Sequence, residues 1–476
     1  PAGRAGNKAL AATGRSRYAF INRDRRAGPA HRHFFDGTGN HKDLRATAAR
    51  PTNIAALYDL YATDGQSVFA AYVPGIGVYD SAGNLRGDPL SLATGLGKSG
   101  GYARMADAAE GLLAVFQRVW PFPPARIVLD VFGFSRGAAL ARHFVNAVLL
   151  AGLPDPRRPM DASAVPRPIR PNLRVIRNQG YGRLDCPLEI GFLGLFDTVG
   201  SFGLPGNADE GDFDVALGPE IVARTLHLTA ANEYRRNFPL RSIYDGAPNT
   251  GNEAACPGAH GDVGGGYAPP GAANPEHILV GAAEVSARRG GGSTVYVFPD
   301  TPPELEALFR RNDPLARQVP GRSGREALDK HGLVLRRAPQ AASEGDEILR
   351  VRFFVPKRTR ETLGLVPLRR MRDSAARHGV PFRELDPERE REASRVAAAR
   401  AGDPLAFWRD YIHLSAVADT RYSRCFSLSA DGRVILRPGL TEADLPKTRH
   451  IADGIFLVDG PAASGRRVIF DTDEKM

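Results

Sequence analysis

The segment Val128-Leu129-Asp130-Val131-Phe132-Gly133-Phe134-Ser135-Arg136-Gly137-Ala138-Ala139-Leu140-Ala141-Arg142 constrains this chain more than any other. The apolar run from Arg126 to Phe132 predicts a strand, and Ala138 to Leu149 predicts a helix. The Gly-x-Ser-x-Gly between them predicts a sharp strand-to-helix turn that presents a serine at the end of a sheet. The pentapeptide alone proves little in a chain with 52 glycines, so the flanking strand and helix carry the inference.

The surrounding sequence repeats the alternation of strand and helix. Arg32 to Phe35 is a short strand candidate that enters the turn Asp36-Gly37-Thr38-Gly39-Asn40. Thr52 to Tyr61 reads as a helix and Val68 to Val73 as a strand. Arg104 to Trp120 is an amphipathic helix with Met105, Ala109, Leu112, Phe116 and Val119 on one face. Ile190 to Phe196 and Glu253 to Cys256 are further strand candidates. This order predicts an α/β fold with a mainly parallel, hydrolase-like sheet and helices on both faces. Pro154 to Pro171 reads as an excursion.

Three regions are expected: a flexible basic arm over 1–30, a catalytic core over 31–285, and a helical or mixed module over 286–476. That last module has strand candidates at Thr294 to Phe298 and Ile348 to Val355. It also carries the charged helix Asp386 to Ala398, and it is expected to complete the sheet and contact a membrane. Within it, Glu361 to Phe382 is amphipathic and basic, and a core-facing helix is preferred over an interfacial one.

The 63 basic against 53 acidic residues leave a net charge of +10. The charges alternate, as in Glu388-Arg389-Glu390-Arg391-Glu392, which is the pattern of a solvated helix face and not of a nucleic-acid reader. Three scattered cysteines make neither a disulfide framework nor a metal site and suit a reducing compartment. Pro1 to Pro29 lacks the apolar run of a signal peptide, so synthesis in the cytoplasm is expected. No run reaches the ~18 apolar residues of a membrane span, so any membrane contact is peripheral.

Four polar, glycine-rich loops follow strand candidates: Asp36 to Asn40, Ser135, Asp197 to Ser201, and His260 to Gly266. In open α/β sheets such loops gather the functional groups. A serine is a weak nucleophile until an imidazole takes its proton, and a carboxylate must fix that imidazole's tautomer. Ser135, Asp197 and His260 occur in the chain order of a hydrolase triad. The oxyanion would take its donors from the backbone N–H of Arg136 and from Gly37 or Thr38. Asp262 as the acid and His413 as the base remain alternatives.

Other readings of these loops fail on spacing. Gly95-Leu96-Gly97-Lys98-Ser99 lacks the first glycine of a phosphate loop, whose position holds Leu92. A phosphoaspartyl nucleophile would stand two residues before Asp36, where the chain has Phe34. His31, His33 and His41 have no metal-ligand spacing. No cofactor is implied.

The segments Phe34 to Asn40, Gly133 to Ala138, Phe196 to Ser201 and Pro257 to Tyr267 together resemble one family. It is the α/β-hydrolase domain long labelled domain of unknown function 2235, which includes the first family of type VI secretion lipase effectors. Weaker similarity lies at Glu361 to Phe382 and around Tyr411 to Arg421. Gly261 departs from the serine that relatives often carry. The resemblance implies an antibacterial phospholipase with Ser135 as nucleophile, Asp197 as acid and His260 as base. It further implies a phospholipid membrane surface, a secretion spike and a cognate immunity protein as partners, with delivery into the periplasm of a target cell. An esterase on soluble or cell-wall esters, and a non-catalytic binding scaffold, are the competing readings.

Overall fold

The computed structural model describes residues 30–43, 51–64, 68–81, 84–119, 126–151, 154–159, 181–183, 187–203, 210–233, 235, 237–244, 252–267, 276–288, 338–340, 346–357, 359–402, 407, 410–413, 415, 426–428 and 434–436. Residues 1–29 of the expected arm over 1–30, and the strand candidate Thr294 to Phe298, lie outside the described residues. So do Cys186 and Cys425, while Cys256 is a buried free thiol.

Six parallel strands form the central sheet: β1 (Ala30–Phe35), β2 (Val68–Val73), β3 (Ile127–Phe134), β4 (Leu188–Phe196), β5 (Thr225–Ala230) and β6 (Glu253–Cys256). Their order across the sheet is β6-β5-β4-β3-β1-β2. Strand order reverses next to β3, so the loops after β1, β3 and β4 open onto a shared crevice at the carboxyl edge. Open α/β sheets bind their ligands at such a switch point.

Every residue of β3 is buried, so its side chains must feed two cores, one on each face of the sheet. Leu129 and Val131 join Phe35, Leu193 and Leu195 on the face covered by α3 (Gly101–Val119) and α4 (Arg136–Ala151). Met105, Leu140 and Phe144 supply the helix side of that core. Phe132 and Phe134 point the other way, with Phe34, Phe192 and Phe196. The rings of Phe34 and Phe132 stack at 5.1 Å across neighbouring strands, a pairing worth roughly 0.5–1.5 kcal/mol beyond its buried area.

This second face is covered by α1 (Asn53–Leu60) and by α6 (Leu365–Arg377), which comes from far along the chain. Leu365, Leu368, Met371 and Ala375 of α6 are all buried in that core. Its charged side looks outward, where Arg369 pairs with Glu390 of α7 (Pro387–Gly402) at 2.9 Å. The amphipathic pattern of Glu361 to Phe382 is therefore spent on the sheet.

Two sequence expectations need amendment. Strand β5 has no counterpart in the sequence reading: Thr225-Leu226-His227-Leu228-Thr229-Ala230 alternates polar and apolar residues, and the polar positions Thr225, His227 and Thr229 are buried as well. The Pro154–Pro159 part of the supposed excursion is a strand, paired antiparallel with Tyr181–Arg183 outside the main sheet. No helix among the described residues is long and apolar enough to cross a membrane.

Candidate active site

Ser135 sits between β3 and α4 with φ 58°, and Asp197, directly after β4, has φ 44°. These are the two non-glycine residues with positive φ among those described. Such backbones are strained for L side chains and persist where surrounding contacts over-determine them. The Ser135 N–H donates to the Phe196 carbonyl at 3.0 Å, and the Ser135 carbonyl accepts from Ala138 and Val199. The elbow and the Asp197 loop thus hold one another.

The two glycines of the pentapeptide are dictated by packing. A Cβ on Gly133 would lie 2.6 Å from the Ala138 Cα, and one on Gly137 would lie 2.2 Å from the Asp36 carbonyl oxygen. Both distances are shorter than van der Waals contact. Helix α4 can start this close to β3 and to the β1 loop only because those positions have no side chain.

His260 opens the short helix α5 (His260–Gly264). Asp197 Oδ2 accepts from its Nδ1–H at 2.6 Å, and Asp197 Oδ1 accepts from the Ala230 N–H at 2.7 Å. A carboxylate only accepts, so Nδ1 carries the proton and Nε2 is left as the basic nitrogen. The ring lies 4.6 Å from the Phe134 ring and 5.0 Å from Phe238, which meets it edge-on. Burial holds the imidazole pKa below 6.5, outweighing the opposing pull of Asp197.

A cavity of about 250 Å³ takes in Ser135, His260, Thr38, Asn40 and Arg136. Sequence reasoning grouped Ser135, Asp197 and His260, and the fold brings them together. Gly37 and Thr38 divide. The Gly37 N–H donates to Asp36 Oδ1 at 2.7 Å and is turned away from the cavity, whereas Thr38 lines it. Asn40 Nδ2 donates to the Gly37 and Thr38 carbonyls and stiffens this loop.

Below the loop, Asp36 is fully buried and accepts from Thr52 Oγ1 and Tyr72 OH. Burial pushes its carboxyl up to about 6 despite those bonds. Asp36 is therefore the anchor of a turn, in keeping with its failure to fit a phosphoaspartyl nucleophile.

Asp262 and His413, the alternative acid and base, pair with each other. His413 Nδ1–H donates to Asp262 Oδ1 at 2.7 Å, and the His413 backbone N–H donates to Oδ2 at 2.9 Å. His31 and His33 lie in the core and His41 stands edge-on to Tyr72. Among the described residues no group of three or more His, Cys, Asp or Glu could hold a metal. The Gly95 to Ser99 turn caps α2 (Pro89–Thr94), with Gly95 at φ 72° and Ser99 Oγ donating to Asp88.

Several supporting residues had no sequence signal. His227 on β5 accepts from the Thr198 N–H at 3.1 Å through Nε2 and donates from Nδ1 to Glu253 at 2.8 Å. The neutral ring, with its pKa lowered by burial, thereby fixes the backbone just after Asp197. Glu233, wholly buried, accepts the His260 N–H at 3.2 Å and forks onto Arg235, whose guanidinium lies 3.4 Å above the Phe238 ring. Only the fold brings these groups together, since their sequence neighbourhood has no periodicity.

Arg136 is the remaining charged group. Its Nε donates to Thr38 Oγ1 at 2.9 Å and its Nη2 to the Leu92 carbonyl of α2. Burial draws its pKa down to about 10, with no acidic neighbour to oppose the shift.

A parallel sheet with a strained serine elbow after β3 and a carboxylate-bound histidine after later strands defines an α/β-hydrolase type of protein. The model of the type VI secretion phospholipase effector Tle1-like catalytic domain matches residues 33–165 and 174–280, half of the chain. The chain belongs to that family of phospholipase effectors.

A solved Tle1 effector, bound to the VgrG spike of the type VI secretion system, is 21% identical, with 94% of each chain covered and a TM-score of 0.54. That likeness is one of fold. An uncharacterized protein from Pseudomonas aeruginosa is 24% identical over 54% of this chain and 45% of its own, with a TM-score of 0.30. No curated protein sequence matches the chain.

Proposed function

We propose that this family member is a serine-dependent phospholipase of A1 or A2 type. The carrying observation is the buried His260–Asp197 pair at 2.6 Å, facing a cavity shared with Ser135 on its strained elbow. In this reading Ser135 Oγ attacks the acyl carbonyl carbon while His260 Nε2 takes its proton. Asp197 holds the ring's orientation and stabilises the imidazolium. The Arg136 and Thr38 backbone N–H groups receive the oxyanion. His260 then protonates the departing glycerol oxygen, leaving an acyl-serine and a lysophospholipid. Water, deprotonated by His260, releases the fatty acid and restores Ser135.

A lipid surface as substrate is supported by the rim of the cavity. Leu90 is 65% exposed and Leu96 37% exposed, both on or just after α2, whose Leu92 and Ala93 line the cavity. Large exposed apolar side chains are uncommon among the described residues, and two of the three sit here. Delivery by a secretion spike is supported by likeness to the spike-bound Tle1 effector, and a cognate immunity protein and action in the periplasm of a target cell complete the reading.

The test is hydrolysis of phosphatidylethanolamine/phosphatidylglycerol vesicles by wild type and Ser135→Ala, with products resolved by mass spectrometry. Fatty acid and lysophospholipid lost in the variant are expected, and the lysophospholipid isomer assigns the acyl position. Serine-dependent cleavage of short-chain soluble esters without lipid hydrolysis would replace the phospholipase by an esterase.

A further inference from the structure

Arg136 occupies an unusual electrostatic position. Its side chain is half-buried beside the serine elbow, yet neither of its hydrogen bonds goes to an acid; one reaches the Thr38 hydroxyl and one the Leu92 carbonyl. Its third nitrogen, Nη1, has no hydrogen-bond partner among the described residues. Among the described residues lining the cavity none is acidic, and Arg136 is its one permanent charge. Two buried arginines are held by acids, Arg32 by Asp130 at 2.7 Å and Arg241 by Glu210 at 2.6 Å, and the fully buried Arg142 instead spends its guanidinium on the Val215, Arg241 and Ser242 carbonyls.

A half-buried cation without a counter-anion gives up part of its hydration with no opposite charge to replace it. The planar guanidinium fork matches the oxygens of a phosphate, which it binds with geometric preference over a point charge. We propose that the Arg136 guanidinium is the subsite for the phosphate of a glycerophospholipid whose acyl ester lies at Ser135. The inference rests on the serine-hydrolase reading above and adds to it a source of substrate selectivity. In a glycerophospholipid only a short glycerol spacer separates the acyl ester from the phosphate. A side chain adjacent in sequence to the nucleophile, opening on the same cavity, is placed to contact one while Ser135 meets the other. The two hydrogen bonds from Nε and Nη2 would keep the fork aimed.

The experiment compares two soluble substrates with identical short acyl chains, dihexanoyl-phosphatidylglycerol and dihexanoylglycerol, below their aggregation limits. Wild type, Arg136→Lys and Arg136→Gln are assayed on both, with thermal unfolding as the control for folding. Binding of glycerol 3-phosphate and of inorganic phosphate is measured separately by calorimetry. The expected result is that Arg136→Gln lowers kcat/KM on the phosphate-bearing substrate about ten-fold or more beyond its loss on the neutral one. Arg136→Lys should retain part of that preference, and glycerol 3-phosphate binding should vanish with Arg136→Gln. Equal losses on both substrates would make Arg136 a clamp of the Thr38 loop alone and overturn the subsite. Binding of inorganic phosphate without any substrate preference would overturn it as well. Wild type inactive on both substrates, yet binding glycerol 3-phosphate through Arg136, would uphold the subsite while the hydrolase reading fails.

Discussion

His413 and Asp262, 151 residues apart in sequence, close on each other through two hydrogen bonds to one carboxylate. Tyr267 stacks on the His413 ring at 3.7 Å. Asp262 also accepts the Ala259 N–H at 2.9 Å, so the same carboxylate caps α5, the helix that begins with His260. The pair fastens the Tyr411 to His413 segment under the site.

Asp262→Asn and His413→Ala should therefore lower stability. Leaving a buried partner unsatisfied costs about 1–3 kcal/mol. Thermal unfolding checks this, and Ser135→Ala should leave the unfolding temperature close to that of wild type. If either variant abolished hydrolysis at unchanged stability, the pair would belong to the chemistry.

The elbow glycines should tolerate no side chain. Gly137→Ala drives a Cβ into the Asp36 carbonyl, and overpacking of this kind costs roughly 1–3 kcal/mol. The strand, helix and β1 loop would have to part, so activity should fall further than the stability loss accounts for. Gly211→Ala, where the nearest atom to a Cβ is 3.7 Å away, is a control at a glycine that does not line the cavity, its positive φ being the source of strain.

On the proposed mechanism, His260 must be neutral to act as base. Burial lowers its pKa, so kcat/KM should rise with pH through a value below 6.5 and then level off. Asp197 pulls that pKa upward, and Asp197→Asn should shift the acid limb to still lower pH. It should also cut kcat by about 10³–10⁴, as loss of the tautomer-fixing acid does in triad enzymes. A pH–rate profile of both proteins on a soluble ester decides the matter. An acid limb above 7 would exclude a buried, neutral His260 as the base.

The rim leucines should matter at an interface and nowhere else. Leu90→Asp with Leu96→Asp should weaken vesicle binding and vesicle hydrolysis several-fold while hydrolysis of a monomeric ester stays near wild type. Vesicle flotation alongside both assays separates these effects. Equal activity of the variant on vesicles would remove the leucines from lipid contact.

The serine turn and its neighbouring loops were legible because each joins a strongly patterned strand to a run of glycine and polar residues. The apolar face of Glu361 to Phe382 was legible too, as Leu368, Met371 and Ala375 recur at helical spacing. What escaped detection depends on distance along the chain. His227 takes a polar place in the alternation of β5, where it reads as solvent-facing, and only its burial and its bond to Thr198 show otherwise. Glu233, wholly buried, pairs with the half-buried Arg235 inside an irregular loop, where no periodicity signals burial. Gly37 and Thr38 are equivalent by composition, and only the Asp36 carboxylate, turned onto the Gly37 N–H, tells them apart.

Titration of the core should make this fold acid-labile, through histidines outside the site. His33 is buried on the α3 and α4 face against Phe144, with Nε2 3.2 Å from the Ala108 carbonyl oxygen, and burial lowers its pKa from 6.5 to about 4. Between those values the unfolded chain binds a proton that the folded one refuses. The stability His33 contributes is therefore complete above pH 6.5 and declines as pH falls, by roughly 3 kcal/mol at pH 4. His31, its ring 4.7 Å away, is shifted in the same direction. Asp36 works the other way: its folded pKa of about 6 lies above the unfolded 3.8, so its contribution is complete below 3.8 and lost as pH rises through 6. Two histidines against one carboxyl leave a net loss on acidification. His33→Phe, which keeps a ring among Phe35 and Phe144, should flatten the fall in unfolding temperature between pH 7 and 4.5. Asp36→Asn should steepen it, since the compensating proton uptake is gone. Unfolding temperatures of the three proteins across that range test both signs. A wild-type curve that rises toward pH 4.5 would show that Asp36 outweighs the histidine pair.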